Sequence, residues 1–299
     1  MQDSSPFLWL ADRGPACQWI ALIDDATSKF WARFTEHDTT EENLRTLGGW
    51  LRRYRRPVAH YTDKNSIFRT PRRAGIGEQL QGEGARSQLG RALKELGIEW
   101  IAAQNPQAKG RIEGLFETLQ DRLVKEMRLA GIATVEAANR FLEIHFLPQW
   151  EWRFTLLPRH PRDAHRRLGR EHRLDEILSV RAVRQVADDH TVSWEGNRWG
   201  VSREEVCAGL GGAQVQIERR LDSSHWLGFR GRYLSLRPCP AAARSASPSG
   251  LRPPGLADRK PKPPTQIKTH YIPPPSHPWR KPWKRTILNC KKTDISTLR

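Results

Sequence analysis

The stretch "VAHYTDKNSIF", residues 58 to 68, decides how the first half of the chain is read. Val58, His60, Tyr61 and Thr62 make a short run of β character, which delivers the carboxylate of Asp63 into the polar turn Lys64-Asn65 before Ile67 and Phe68 become apolar again. A strand that ends in an acid is common on any protein surface. Asp63 therefore takes its meaning from what stands around it.

Before it comes "TTEENLRTLGGWLRRYRRP", residues 39 to 57. Thr39 followed three places later by Glu42 has the form of a capping box, Leu44, Leu47, Leu51 and Tyr54 mark one helical face, and Pro57 stops the helix. Earlier still, "QWIALID" (18 to 24) and "FWARFTE" (30 to 36) are apolar runs of strand length with turn residues between them, so they are expected to form a hairpin. After Asp63, a Gly- and Arg-rich loop (70 to 84) leads to a helix from about Ala85 to Leu96, stopped by Gly97, and to a strand in "IEWIAA" (98 to 103). Ile112, Leu115, Phe116, Leu119, Leu123 and Met127 then follow helical spacing for about four turns. A further helix is expected from Val135 to Leu147, ended by Pro148. Hairpin, helix, strand, helix, strand, helix reads as an α/β layer fold with a mixed sheet.

Residues 148 to 175 read as a basic connector, and 176 to 238 as short β runs punctuated by glycine, with a Gly196-Asn197 turn. The second region is expected to be a small β-barrel. Residues 241 to 299 hold 13 Lys and Arg against Asp258 and Asp294, and 11 of the 21 prolines, so this basic Pro-rich tail is expected to be disordered. The chain as a whole has 299 residues, a formal charge of +17 and 37% hydrophobic residues, which suits a folded protein of about two domains with a polyanionic partner. Nucleic acid is the first candidate and an anionic membrane surface the second. Four scattered cysteines without zinc spacing suit a reduced cytoplasmic setting, and no run is long and apolar enough to span a membrane.

The polar residues that suggest chemistry are acids at strand ends and helix starts. They are Asp63, Glu113 at the opening of the long helix, and one of Asp3, Asp24 or Asp25. Carboxylates brought close together repel one another, so such a cluster stays ionised chiefly around a divalent cation, and hard oxygen ligands favour Mg²⁺ or Mn²⁺. A pair of such ions can activate one oxygen and stabilise another in a phosphoryl displacement.

"QDSSPFLWLADRGP…LIDDATS", "YTDKNSIF" and "NPQAKGRIEGLFETLQDRLVKE" together resemble the integrase catalytic core of DDE transposases, most closely the ISNCY-type insertion-sequence transposases, over about residues 1 to 170. The resemblance implies an RNase H-like core, two Mg²⁺ (or Mn²⁺) ions, and Mg-dependent DNA cleavage and strand transfer of an insertion sequence. It implies DNA as partner and a homo-oligomer on the DNA ends. The family's three acids fall on Asp3, Asp63 and Glu113, which serve as metal ligands and catalytic residues, while Asp24 and Asp25 fall on its hairpin turn. Lys64, Asn105, Gln107, Lys109 and Arg111 are expected phosphate contacts, joined by Arg122 and Lys125 on the helix. Gln120 stands where many relatives carry a basic residue. "VEAANRFLEIHF" and "LPRHPRDAHRRL" resemble the segment closing the family's core. Full-length relatives carry N-terminal helix-turn-helix domains that this sequence lacks, so the chain is expected to be N-terminally truncated, with a first strand prone to fray. The alternative is a catalytically inactive DNA-binding remnant or regulator of transposition, and a weaker one an RNase H-like nuclease acting on RNA–DNA hybrids.

Overall fold

The computed structural model describes residues 1–62, 86–102 and 110–239. Asp63, Lys64, the loop 70–84, Asn105, Gln107, Lys109 and the tail 241–299 lie outside the described residues.

Three strands open the chain, β1 (Gln2–Phe7), β2 (Cys17–Ile23) and β3 (Phe30–Thr35), and they form an antiparallel sheet in that order. The expected hairpin is β2 and β3, and its turn is built by Asp24, whose carboxylate accepts from the Thr27 backbone N–H at 3.1 Å and from the Thr27 hydroxyl. β1 does not fray. Asp3 pairs with Ala21, Met1 N donates to Ile23 O at 2.8 Å, and the Gln2 side chain is fully buried.

Helix α1 (Thr40–Tyr54) begins where the capping pattern places it, with the Thr39 hydroxyl accepting from Glu42 N at 3.2 Å. Leu44, Leu47 and Leu51 are buried against the sheet. Gly49 leaves no room for a Cβ, because the Trp31 indole of β3 occupies that place, so the glycine allows helix and strand to close on each other. Strand β4 (Ala59–Thr62) runs parallel to β5 (Glu99–Ala102), with α2 (Gln88–Glu95) between them in sequence. Gly97, at φ +61, ends α2 in a Schellman turn: Ile98 N reaches Leu93 O at 2.8 Å and Gly97 N reaches Lys94 O at 2.8 Å. The parallel pair and the antiparallel trio are separate ladders rather than one continuous mixed sheet. β4 lies beside β1, joined by a side-chain hydrogen bond from His60 Nε2 to Gln2 Oε1 at 2.8 Å.

The long helix α3 (Gly110–Leu129) buries Ile112, Leu115, Phe116, Leu119, Leu123 and Met127, the face that the spacing marks. The next helical segment runs past its expected end. α4 (Val135–Phe141) passes through a π turn (Leu142–Phe146) into α5 (Leu147–Phe154), and Pro148 sits inside. Within the π turn the Leu147 N–H reaches back five residues to Leu142 O. This shift of the carbonyl partners makes room for a ring that has no N–H to give. The basic connector therefore starts only after α5, at Thr155, and α6 (Leu174–Ile177) closes it.

The last region is a six-stranded antiparallel sheet in the order β6 (Val180–Gln185), β9 (Gln214–Arg219), β10 (His225–Phe229), β11 (Arg232–Pro238), β8 (Asn197–Val201), β7 (Thr191–Trp194). Its edge strands β6 and β7 lie close to each other, so the sheet is a nearly closed barrel. The β7–β8 turn is one residue earlier than expected. Trp194 pairs with Asn197, and Glu195 and Gly196 turn between them with φ of 51° and 78°, as a two-residue hairpin of matching twist requires. Val192, Val215, Ile217, Leu227 and Leu234 fill the interior.

A buried ion-pair cluster holds the barrel to the first layer. Glu218 of β9 is fully buried and meets Arg181 at 3.3 Å and Arg220 at 2.9 Å. Arg181 also reaches Glu95 of α2 at 2.8 Å, while its backbone N–H donates to Gln88 Oε1 at 3.0 Å and its carbonyl accepts from Gln88 Nε2 at 2.7 Å.

Candidate active site

Side chains alternate across a strand, so Gln2 and Ser4 of β1 face one way and Asp3 and Ser5 the other. On the first face stands α1: Gln2 Nε2 donates to Asn43 Oδ1 at 2.5 Å, and Ser4 Oγ donates to Asp38 Oδ2 at 2.6 Å. On the second face stands α3, where Gln120 Nε2 donates to Ser5 Oγ at 3.2 Å. The sheet therefore separates the two helices, and Asp3 belongs to the α3 side.

Glu113 lies two turns before Gln120 on α3, in the helix's first turn, and is exposed. The other end of the helix's seat is also visible. Arg111 Nε meets Asp25 Oδ1 at 2.6 Å, and Asp25 belongs to the turn after Ile23, the residue bonded to Met1. The helix thus lies along β1 from the neighbourhood of Met1 to Ser5, and the stretch between these two ties contains both Glu113 and Asp3. Asp63 is the residue that follows the last residue of β4, the strand beside β1, and lies outside the described residues.

A buried polar relay supports this corner from behind. His60 donates to Gln2, Gln2 to Asn43, and Asn43 Nδ2 to Asp38 Oδ1 at 2.6 Å, which links β4, β1 and α1 through satisfied hydrogen bonds. Burial pushes the His60 imidazole down to about 3, so it is neutral at ordinary pH. Trp100 of β5 adds a bond from Nε1 to Thr62 Oγ1 at 2.8 Å. Sequence reading missed this relay, and the signal available for it was polar residues at core positions of otherwise apolar elements.

Of the phosphate contacts expected from the sequence, Lys64, Asn105, Gln107 and Lys109 lie outside the described residues. Arg111 is paired with Asp25, Arg122 meets Glu126 at 2.9 Å and covers the Phe154 ring at 5.2 Å, and Lys125 meets Asp121 at 2.5 Å. These are surface pairs worth about 1 kcal/mol or less, so a phosphate can displace them. Among the described residues no group of three or more His, Cys, Asp or Glu side chains is placed to hold a metal ion. Asp3 and Glu113 offer only carboxylate oxygens from facing elements, a donor type that fits a hard divalent cation and not zinc or copper in a softer site.

No protein-family model matches the chain. The chain is similar to proteins named as transposases. It is 36% identical over 237 residues to "Putative transposase y4bF" of Sinorhizobium fredii (strain NBRC 101917 / NGR234), covering 79% of this chain and 50% of that protein. It is 27% identical over 303 aligned positions to "Transposase for insertion sequence IS1202" of Streptococcus pneumoniae, covering 98% of this chain and 60% of that protein. The chain thus spans half to three-fifths of the length of these relatives. Among solved structures, a simian T-cell lymphotropic virus intasome in complex with PP2A regulatory subunit B56 gamma overlaps at a TM-score of 0.36 and 13% identity, over 79% of this chain and 74% of that one. That overlap is too loose to define the fold. None of the described helices is long and apolar enough to cross a membrane.

Proposed function

We propose that the chain is the catalytic portion of a transposase of the DDE, ISNCY-like type, with an RNase H-like core that cleaves DNA and joins the ends of an insertion sequence to a target. Asp3, Asp63 and Glu113 are the metal ligands of this reading, and Mg²⁺ or Mn²⁺ is the cation their oxygens suit. The observation that carries it is the seating of α3 along the face of β1 that bears Asp3, through Gln120–Ser5 at one end and Arg111–Asp25 at the other. The strand leading into Asp63 lies next to β1.

When bound, the ions supply Lewis acidity at the oxygens of the reacting phosphate. The protein's own contribution is position. β1 fixes the backbone of Asp3 by pairing with Ala21, the His60–Gln2 bond fixes β4 against β1, and α3 presents Glu113 from a helix whose buried face is fully packed. Sites built on strands and helices hold their donors more tightly than sites on loops. Around them, Arg111, Arg122 and Lys125 exchange their acidic partners for phosphates. The protein acts on DNA in the cytoplasm, as an oligomer that brings two ends together.

The test is purified protein with DNA and Mn²⁺ or Mg²⁺, scored for nicked and joined strands. Nicking that Asp3→Asn and Glu113→Gln both remove supports the reading. A nicking rate equal in wild type and both variants refutes the assignment.

A further inference from the structure

The strongly basic segment after α5 has no part in the site above. It is fixed by backbone bonds to the end of α1: Arg56 N donates to Arg166 O at 3.0 Å and Arg166 N to Arg56 O at 2.8 Å. Arg166 also reaches Gly97 O at 2.7 Å, and the His165 ring lies 6.2 Å from the Trp50 ring. Held this way, the segment turns Arg159, Arg162, Arg167 and Arg170 outward, all exposed and without an acidic partner among the described residues. Exposed Arg52 on the last turn of α1 adds a fifth charge. Asp163 of the same segment pairs with Arg55 at 3.7 Å, and the five arginines left over raise the positive potential of this surface.

We propose that this surface, at the end of α1 and formed by residues 159–170, is a second docking site for the phosphate backbone of duplex DNA. It is anchored to the end of α1 and to Gly97, and not to β1 or α3, the elements that carry Asp3 and Glu113. One chain then engages DNA at two places, one at the acids and one at this surface. The segment 155–173 contains no helix, so it lacks the amphipathic helix with which a basic stretch lies in a membrane interface. Arginine guanidinium groups suit phosphate oxygens through paired N–H donors and read no base sequence. The identity of the polyanion as DNA rests on the function proposed above; the location of the surface does not.

The experiment measures binding of a labelled duplex of arbitrary sequence to the full chain in EDTA, across a salt series, by fluorescence anisotropy. The triple variant Arg162→Gln, Arg167→Gln, Arg170→Gln is expected to flatten the slope of log K against log salt by about 2 to 3, and to weaken binding at low salt at least about tenfold. Its melting temperature should match wild type, since these side chains hold nothing in the fold. An unchanged slope overturns the proposal, and so does an equal loss on neutralising Arg128, Arg140 and Arg203, exposed arginines elsewhere. Tighter binding to phosphatidylserine vesicles than to duplex, lost in the same triple variant, would also overturn it in favour of a membrane surface. Binding in EDTA needs no metal, so failure of the catalytic reading shows up as unaltered protein that does not nick while its salt slope stays intact.

Discussion

Gln120 of α3 donates a hydrogen bond to the Ser5 hydroxyl of β1 across 3.2 Å, a direct tie between the long helix and the strand face that bears Asp3. Position 120 is one where the resembled transposases often carry a basic residue. Here a shorter neutral amide is used to hold the helix instead.

Gln120→Ala removes the donor and leaves the Ser5 hydroxyl, which is buried, without its partner. The expected cost is about 1 kcal/mol, or a fall of about 2 to 4 °C in the melting temperature of a domain of this size, read by thermal denaturation. No change in melting temperature would mean that the contact is not formed in solution.

Asp3→Asn and Glu113→Gln keep the shape of each side chain and remove its charge. If the proposed function holds, each should lower metal-dependent nicking at least about a hundredfold, because a lost ligand would take with it a few kcal/mol of transition-state charge stabilisation. Stability in the absence of metal should stay close to wild type, which separates a catalytic loss from a folding one.

Glu218→Ala should be the most damaging single change in the barrel. The carboxylate is fully buried between Arg181 and Arg220, and its removal leaves these two nearly buried guanidinium groups with only Glu95 and Glu176 to balance them. The expected loss is about 2 to 3 kcal/mol in urea unfolding, below that of a fully uncompensated buried charge because Glu95 and Glu176 remain. Replacing all three residues with apolar ones of similar volume should recover most of it; failure to recover would show that the cluster contributes more than charge balance.

Stability should fall as pH drops below about 6.5, in part through His60. The folded imidazole takes its proton only near 3, whereas the unfolded one takes it near 6.5, so between these values the unfolded state holds the extra proton. Stability from this group is complete above 6.5 and is lost as pH falls toward 3, at up to about 1.4 kcal/mol per pH unit. His60→Gln should flatten that dependence by one proton in denaturation curves taken across the range. An equally steep curve in the variant would place the titration elsewhere.

Much of the element order was legible because it rests on local rules. The Thr39 cap, the leucine face of α1, the Gly97 stop and the apolar face of α3 each depend on residues within a few places of one another, so spacing reveals them. Where a local rule met a tertiary one, it failed. Pro148 reads as a helix end, yet the π turn before it supplies a backbone in which the ring fits, and that turn has no sequence signature. The β7–β8 turn shifted by one residue because strand pairing, not the glycine alone, decides which residues turn.

The site divides along the same line. The residue types and their order, an acid near the start, one after β4 and one opening a helix, are properties of the chain, and it is the motifs around them, by their resemblance to transposases, that suggest hard-metal phosphoryl chemistry. Which face of β1 looks at α3 was not written locally, since it follows from Gln120 meeting Ser5 and Gln2 meeting His60 and Asn43, contacts between residues 41 to 115 places apart. Side-chain alternation on a strand is known from the sequence, but the helix that covers each face is chosen only when the whole core packs.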